Sequence, residues 1–354
     1  MDRFVDLSCP KLNADYLALG KAQGQHFKVR LADFYKIFRD FSKKQAKTQF
    51  GFFGSLLSFF SLSYLLRLGG RFEPFIDGHF RQEMQGIAEG SGQDYRFIRL
   101  LNVLDDMINL SLCCAVGVYN TETKSYVHGS NLDYPIFLGT MRDNVFVVKK
   151  KNFLTVGFPG YIGVLRGVNR WGLFLASLTS KTKKESNRFG VPNGLLYSTI
   201  MNWADYIYWG PHFIEGSFRG ASNNVLLGTK DSAVVLEFNK DCVQEIKPEK
   251  KLLGCDLVGV TNHFRSADLV QYQEMGHPPF EVEVGADHLT KAFSEQRLVT
   301  AEGLTASDLK TALTGRYPVF NEGTIFTTLV DFAKNELTVV ISHRAEELVV
   351  PLTW

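Results

Sequence analysis

Two cysteines, Cys113 and Cys114, stand side by side at the head of the run CCAVGVYN, in a chain with only five cysteines. A thiol can act as nucleophile, metal ligand or disulfide partner, and each use leaves its own spacing. Neighbouring cysteines rarely bridge each other, because the ring they would close strains the peptide bond and the disulfide dihedral. Cys9, Cys242 and Cys255 complete the set, and the five show neither metal-ligand spacing nor a disulfide framework. Two readings remain for the pair: small buried hydrophobes that fill space, or a site of thiolate chemistry. The eight histidines are scattered, and His128 and His263 read as structural. There is no Walker A sequence, no HExxH and no G-x-S-x-G elbow. The glycine-rich stretches GIAEGSG and GFPGYIG do not make a dinucleotide fingerprint.

The elements around the pair change character at Cys113. Residues 1–112 read as helical, with apolar residues at three- and four-residue spacing between charges. Gly90 and Gly92 punctuate that segment as a helix end and turn. From Cys113, CCAVGVYN and SYVHGSNLDY are strand-like runs flanking the polar turn TETK, the signature of a β-hairpin. Further strands are expected at 145–149, 154–158, 172–177, 224–228, 233–238 and 257–261. Helices are expected at 194–209, 287–300 and 305–313, and paired strands close the chain. The boundary before Cys113 divides a helical segment, 1–112, from a domain spanning 113–354.

Composition narrows the partners. The chain has 354 residues, 45% of them apolar and 21% charged, as in ordinary globular proteins. Thirty-nine basic residues against thirty-seven acidic ones leave almost no net field, so nucleic acid is not an expected partner. The basic runs 149–151 and 181–184 are short and read as solvated loops or strand ends. The start, MDRFVDLSCPKL, has no basic segment leading into an apolar core, which reads as no signal peptide and a cytoplasmic protein. The stretch 50–66, FGFFGSLLSFFSLSYLL, carries no charge. It is short of the roughly 20 residues that span a bilayer, and reads either as a surface for lipid contact or as a buried helix.

Several motifs then fall in one order: CCAVGV, HGSNLDYP, GYIGVLRGVNRWGL, GVTNHF and SEQR. This order resembles the acid ceramidase and N-acylethanolamine acid amidase family, within the N-terminal-nucleophile (Ntn) hydrolases that include choloylglycine hydrolases and penicillin V acylases. EMQGIAEGSGQDYRFIRLLNVLDD, GVPNGLL and TNHF also look like the autoproteolytic relatives of isopenicillin N acyltransferase. The resemblance implies an α+β fold, a four-layer αββα sandwich with an N-terminal helical segment. It also implies a precursor that cuts itself before its nucleophilic cysteine, with no cofactor and no metal.

Carried onto this chain, the resemblance makes Cys113 the nucleophile and new N-terminus. The pattern Cys, small, small, apolar fits from Cys113, whereas gapless spacing to GSNLD favours Cys114. A turn absorbs one residue, but a one-residue slip turns every strand side chain to the other face, so Cys113 is preferred. Free cysteine, with a pKa near ~8.5, is only partly ionised at neutral pH. The α-amine freed on the same residue, with a pKa of roughly 7.7–8.0, is suited to take its proton. Asp133 would hold that amine, Asn262 would face the oxyanion, and Arg297 would stand near the site. Asn131, Tyr134 and Tyr161 are the expected substrate contacts. The family places Arg, a cation that favours the thiolate, where this chain has Ser130; either another cation substitutes or the thiol is weakened. The implied activity is hydrolysis of a linear non-peptide amide, a small molecule with a fatty acyl chain. The alternatives are acyl transfer to an amine and a silent lipid-binding relative.

Overall fold

The computed structural model describes residues 3–50, 54–108, 112–180, 182–183, 188–250, 256–274 and 283–354. Among the described residues, fifteen strands form two sheets. The first runs β1 (Phe4–Asp6), β4 (Phe146–Lys149), β5 (Phe153–Gly157), β6 (Arg166–Asn169), β7 (Phe174–Thr179), β8 (Asn223–Gly228), β9 (Ala233–Phe238), β10 (Val243–Ile246). The second runs β11 (Glu249–Lys250), β12 (Asp256–Val260), β2 (Leu112–Asn120), β3 (Ser125–Asp133), β13 (Thr324–Asp331), β14 (Glu336–Ile341), β15 (Glu346–Pro351). All pairings are antiparallel except β1 with β4.

Alternation along the strands builds the layers, because successive side chains leave a strand on opposite faces. On β7, Phe174, Ala176 and Leu178 enter the core between the sheets, while Leu173, just before the strand, and Leu175 face helices α8 (Asn193–Trp203) and α9 (Trp209–Gly216). On β2, Cys113 and Ala115 enter the inter-sheet core. Cys114, Val116 and Val118 face the layer holding α11 (Lys291–Glu302) and α12 (Leu309–Gly315). The result is the helix–sheet–sheet–helix order of an αββα sandwich.

The N-terminal helices α1 (Pro10–Asn13), α2 (Tyr16–His26), α3 (Lys28–Phe50), α4 (Gly54–Gly69), α5 (Gly78–Ser91) and α6 (Tyr95–Ile108) make a further cluster against Phe146, Val148 and Leu195. Helices α2 and α5 touch backbone to backbone. A Cβ on Gly20 would lie 2.0 Å from the Glu83 carbonyl oxygen, and one on Gly90 would lie 2.3 Å from that of Lys21. Gly90 is therefore a packing residue inside α5, and Gly92 alone, at φ 74°, ends the helix.

Other elements differ from the periodicity reading in instructive ways. Strand β1 joins the helical segment to the first sheet. The short β6 and the closing β15 carry too few alternating apolar residues to announce themselves. The helix expected over 194–209 breaks after Trp203. The run 149–151, read as a solvated loop or strand end, starts at Lys149, the last residue of β4, but Lys150 is 6% exposed, with its Nζ 2.6 Å from Glu83 Oε1. Most of the run 181–184, Cys255, and 51–53 of the stretch 50–66 lie outside the described residues, as do the side chains of 54–61. Among the described residues, no helix is long and apolar enough to cross a membrane.

Candidate active site

The hairpin decides which thiol meets which surroundings. Cys113 pairs with Leu132 and Cys114 with Asn131, and paired residues share a face. Both cysteines are fully buried. Burial pushes the Cys114 thiol up to about 12. Burial also raises Cys113, against the opposing pull of Arg166 and with a smaller upward push from Asp133.

Polar groups converge on Cys113 from four elements. Strand β12 pairs with β2 up to Val260 against Ala115, so its continuation carries Asn262 to the level of Cys113. There the Cys113 N–H donates to Asn262 Oδ1 at 2.5 Å, and Asn262 Nδ2 donates to the Thr179 carbonyl at 2.7 Å. These two partners fix which way the amide points. The Asn262 N–H donates to Ser294 Oγ of α11 at 3.1 Å. At the end of β3, Asp133 Oδ2 accepts from Arg297 Nη2 of α11 at 2.7 Å and from Asn321 Nδ2 at 3.1 Å. Both members of this ion pair are 1% exposed, and Asp133 Oδ1 has no hydrogen-bond partner.

The fourth element is β6. Arg166 pairs with Ala176, which faces the other sheet, so its side chain crosses the sandwich. Its Nη1 donates to the carbonyls of Leu165 at 2.7 Å and Ser177 at 2.5 Å, and its Nη2 to that of Asn131 at 2.9 Å. Sequence reasoning passed over Arg166, although a lone arginine inside the apolar run GYIGVLRGV was the available signal. Arg142 donates to the carbonyls of Glu322 and Thr324.

Tyr134 and Tyr161 line one apolar pocket together with Phe34, Phe158 and Leu165. Tyr134 and Leu165 belong to the same core cluster as Cys113. A Cβ on Gly194 would meet the Tyr161 hydroxyl at 2.0 Å, so glycine there admits the ring. A small polar cavity shares Asp105, Tyr161 and Leu165 with this pocket and adds Asp106, Thr179 and Asn193. Tyr134 donates to Asp105. Burial pushes the Asp106 carboxyl up to about 7. The two carboxylates close the motif ending LLNVLDD, and neither was singled out as a site residue.

Asn131 lies apart from the other expected contacts. Its Nδ2 donates to the carbonyls of Leu313 and Val319, and its Oδ1 accepts from Thr327, all on the helix-facing side. His128 stacks between Tyr126 and Phe174, and His263 bonds Thr261 and Ser294. Among the described residues, no group of three or more His, Cys, Asp or Glu could hold a metal ion.

No protein-family model matches the chain. It is 24% identical over 290 residues to acid ceramidase of Mus musculus, covering 73% of this chain and 68% of that one. To acid ceramidase of Homo sapiens it is 23% identical over 282 residues, covering 73% and 69%. Among solved structures it overlays an N-acylethanolamine-hydrolyzing acid amidase ortholog of Caenorhabditis elegans with a TM-score of 0.46 and 15% identity, over 62% of this chain and 92% of that one. It overlays a variant of conjugated bile acid hydrolase from Clostridium perfringens with a TM-score of 0.42 and 11% identity, over 68% and 92%. The two overlays are loose. The chain is similar in sequence to the acid ceramidases at 24% identity, and its two sheets and flanking helices make an α+β architecture.

Proposed function

We propose that the chain is a cysteine amidohydrolase that cleaves a linear, non-peptide N-acyl amide through an acyl-Cys113 intermediate. The observation that carries this reading is the meeting of Cys113, Asn262, Arg166 and the Asp133–Arg297 pair beside an apolar pocket. In the precursor, the Cys113 thiol attacks the Leu112 carbonyl, and the acyl group moves from nitrogen to sulfur. Water then hydrolyses the thioester, leaving a carboxylate on Leu112 and a free α-amine on Cys113. The orphaned Oδ1 of Asp133 is a ready acceptor for that amine. In turnover the amine takes the thiol proton and returns it to the departing amine of the substrate. An amide nitrogen carries two hydrogens, so Asn262 Nδ2 has the chemistry to serve the oxyanion as well as Thr179.

The apolar lining of the Tyr134 and Tyr161 pocket, about 60 Å³ in volume, matches part of an acyl chain, and Asp105 borders it. Residues 1–112 and 113–354 would then be the two chains of the mature enzyme, and the stretch 50–66 its contact with a lipid surface. The test combines intact mass with release of fatty acid from a panel of N-acyl amides. Fragments of 1–112 and 113–354, with hydrolysis abolished in Cys113→Ala, support the reading. An uncut wild type that is active, or activity retained in Cys113→Ala, overturns it.

A further inference from the structure

The Arg166 side chain is fully buried. Its Nε has no hydrogen-bond partner, its Nη1 and Nη2 donate to backbone carbonyls, and the guanidinium also reaches the Cys113 thiol. Among the described residues, no carboxylate forms an ion pair with it, whereas the second buried arginine of the site, Arg297, has Asp133 at 2.7 Å. A guanidinium without a counter-ion in a dry interior is strongly disfavoured unless an anion joins it. The carbonyl it reaches on the far sheet, that of Asn131, adjoins Leu132, the residue paired with Cys113. Ser130 lies diagonal to Cys113 on the same face, short and uncharged, with its hydroxyl on Thr328.

We infer that Arg166, reaching across from the opposite sheet, is the positioning cation of the Cys113 thiolate, the thiolate being its missing counter-ion. The inference rests on reading Cys113 as the nucleophile. The other groups around the thiol do not supply this charge. Asp133 at the end of β3 repels a thiolate, and Arg297 from α11 is bound to Asp133 and lies toward Cys114. Asp105 from α6 bonds to the neutral phenol of Tyr134 and feels the charge of Arg166 without an ion-pair contact, and Cys114 faces the other layer. Of the surrounding charges, Arg166 is the one that draws the thiol pKa down most.

The experiment is the rate of alkylation of Cys113 by iodoacetamide against pH, read by mass spectrometry of the Cys113 peptide. It is run on wild type, Arg166→Gln, Arg166→Lys and the exchange Ser130→Arg with Arg166→Thr. The Gln variant should move the alkylation midpoint up by about one pH unit or more, a rate loss of about 10-fold at neutral pH. Lys should hold it near wild type. Midpoints that coincide in wild type and a folded Arg166→Gln overturn the inference and leave Arg166 as a tether between sheets. If the single variants do not fold, the exchange decides. Recovery of fold and wild-type midpoint supports the inference; an exchange that is unfolded, or folded with a raised midpoint, overturns it. Alkylation needs no turnover, so an expected shift in a protein inert toward every N-acyl amide sinks the substrate reading alone.

Discussion

The two faces of β2 offer a controlled comparison. Cys113 and Cys114 share a strand, a chemistry and complete burial, yet Cys113 meets Asn262 and Arg166 whereas Cys114 meets Val116, Leu309 and Leu313. Exposure cannot separate them, and neither can the residue type. What separates them is the two-residue period of the strand, which aims one thiol between the sheets and the other at the helices. Cys113 has Asn262 and Arg166 beside it between the sheets, while Cys114, with Arg297 on the helix-facing side, has its thiol pushed up by burial to about 12.

The sharpest way to break the comparison is to delete each thiol. Cys113→Ala should remain full length and inactive, while Cys114→Ala should still cut before Cys113. Intact-mass spectrometry reads both, and a new N-terminus at residue 114 would reverse the assignment. Next in size is the ion pair that flanks the site. Arg297→Met leaves Asp133 buried and uncompensated, so urea unfolding should reveal a loss of about 3–5 kcal/mol. A loss under about 1 kcal/mol would mean that the carboxylate finds another partner. Cys114→Ala, a small core truncation, should fall near the ordinary loss of about 1 kcal/mol.

Asn262→Ala should lower amide hydrolysis by about 100-fold or more. Its bond to the Cys113 nitrogen makes a second readout available, the rate of self-cleavage in freshly synthesised protein. Near-wild-type values of both rates would confine Asn262 to holding β12 against α11. The smallest effect contrasts the core around His128 with the site. Burial holds His128 at about 4 against an ordinary value of 6.5, and His263 likewise. The unfolded chain therefore binds more protons than the folded one between those values. Stability from each histidine is complete above pH 6.5 and falls as pH drops toward 4, by about 1.4 kcal/mol per pH unit. His128→Phe should flatten that acid slope in pH-dependent unfolding; an unchanged slope would place the acid sensitivity elsewhere.

These contrasts also measure how far the chain could be read unaided. The hairpin was legible because its strands alternate and its turn is polar. The preference for Cys113 over Cys114 joined the family's residue pattern to the pleat, since a one-residue slip turns every strand side chain to the other face. Tyr134 and Tyr161 were singled out from motifs, and they line one pocket. Asn131, singled out with them, sits one residue out of phase and so bonds Leu313 and Val319 behind the sheet. Arg166 went unnoticed because β6 is four residues long and carries Arg, Gly and Asn, too short and too polar to show a period. Asp105 and Asp106, at the end of the motif LLNVLDD, were not singled out because burial, which lifts both carboxyls, does not show along the sequence.

By itself, then, the sequence determined local geometry: the strands, the turn between them and the face each residue takes, because those follow from steric period and turn chemistry. Through the resemblance its motifs carry, it also pointed to Asp133, Asn262 and Arg297. Only the tertiary structure decided which charges meet. The cation near Cys113 comes from the opposite sheet and the counter-ion of Asp133 from the outer helix layer. Such meetings depend on how two twisted sheets stack and where a helix crosses them, and no spacing along one chain encodes those distances.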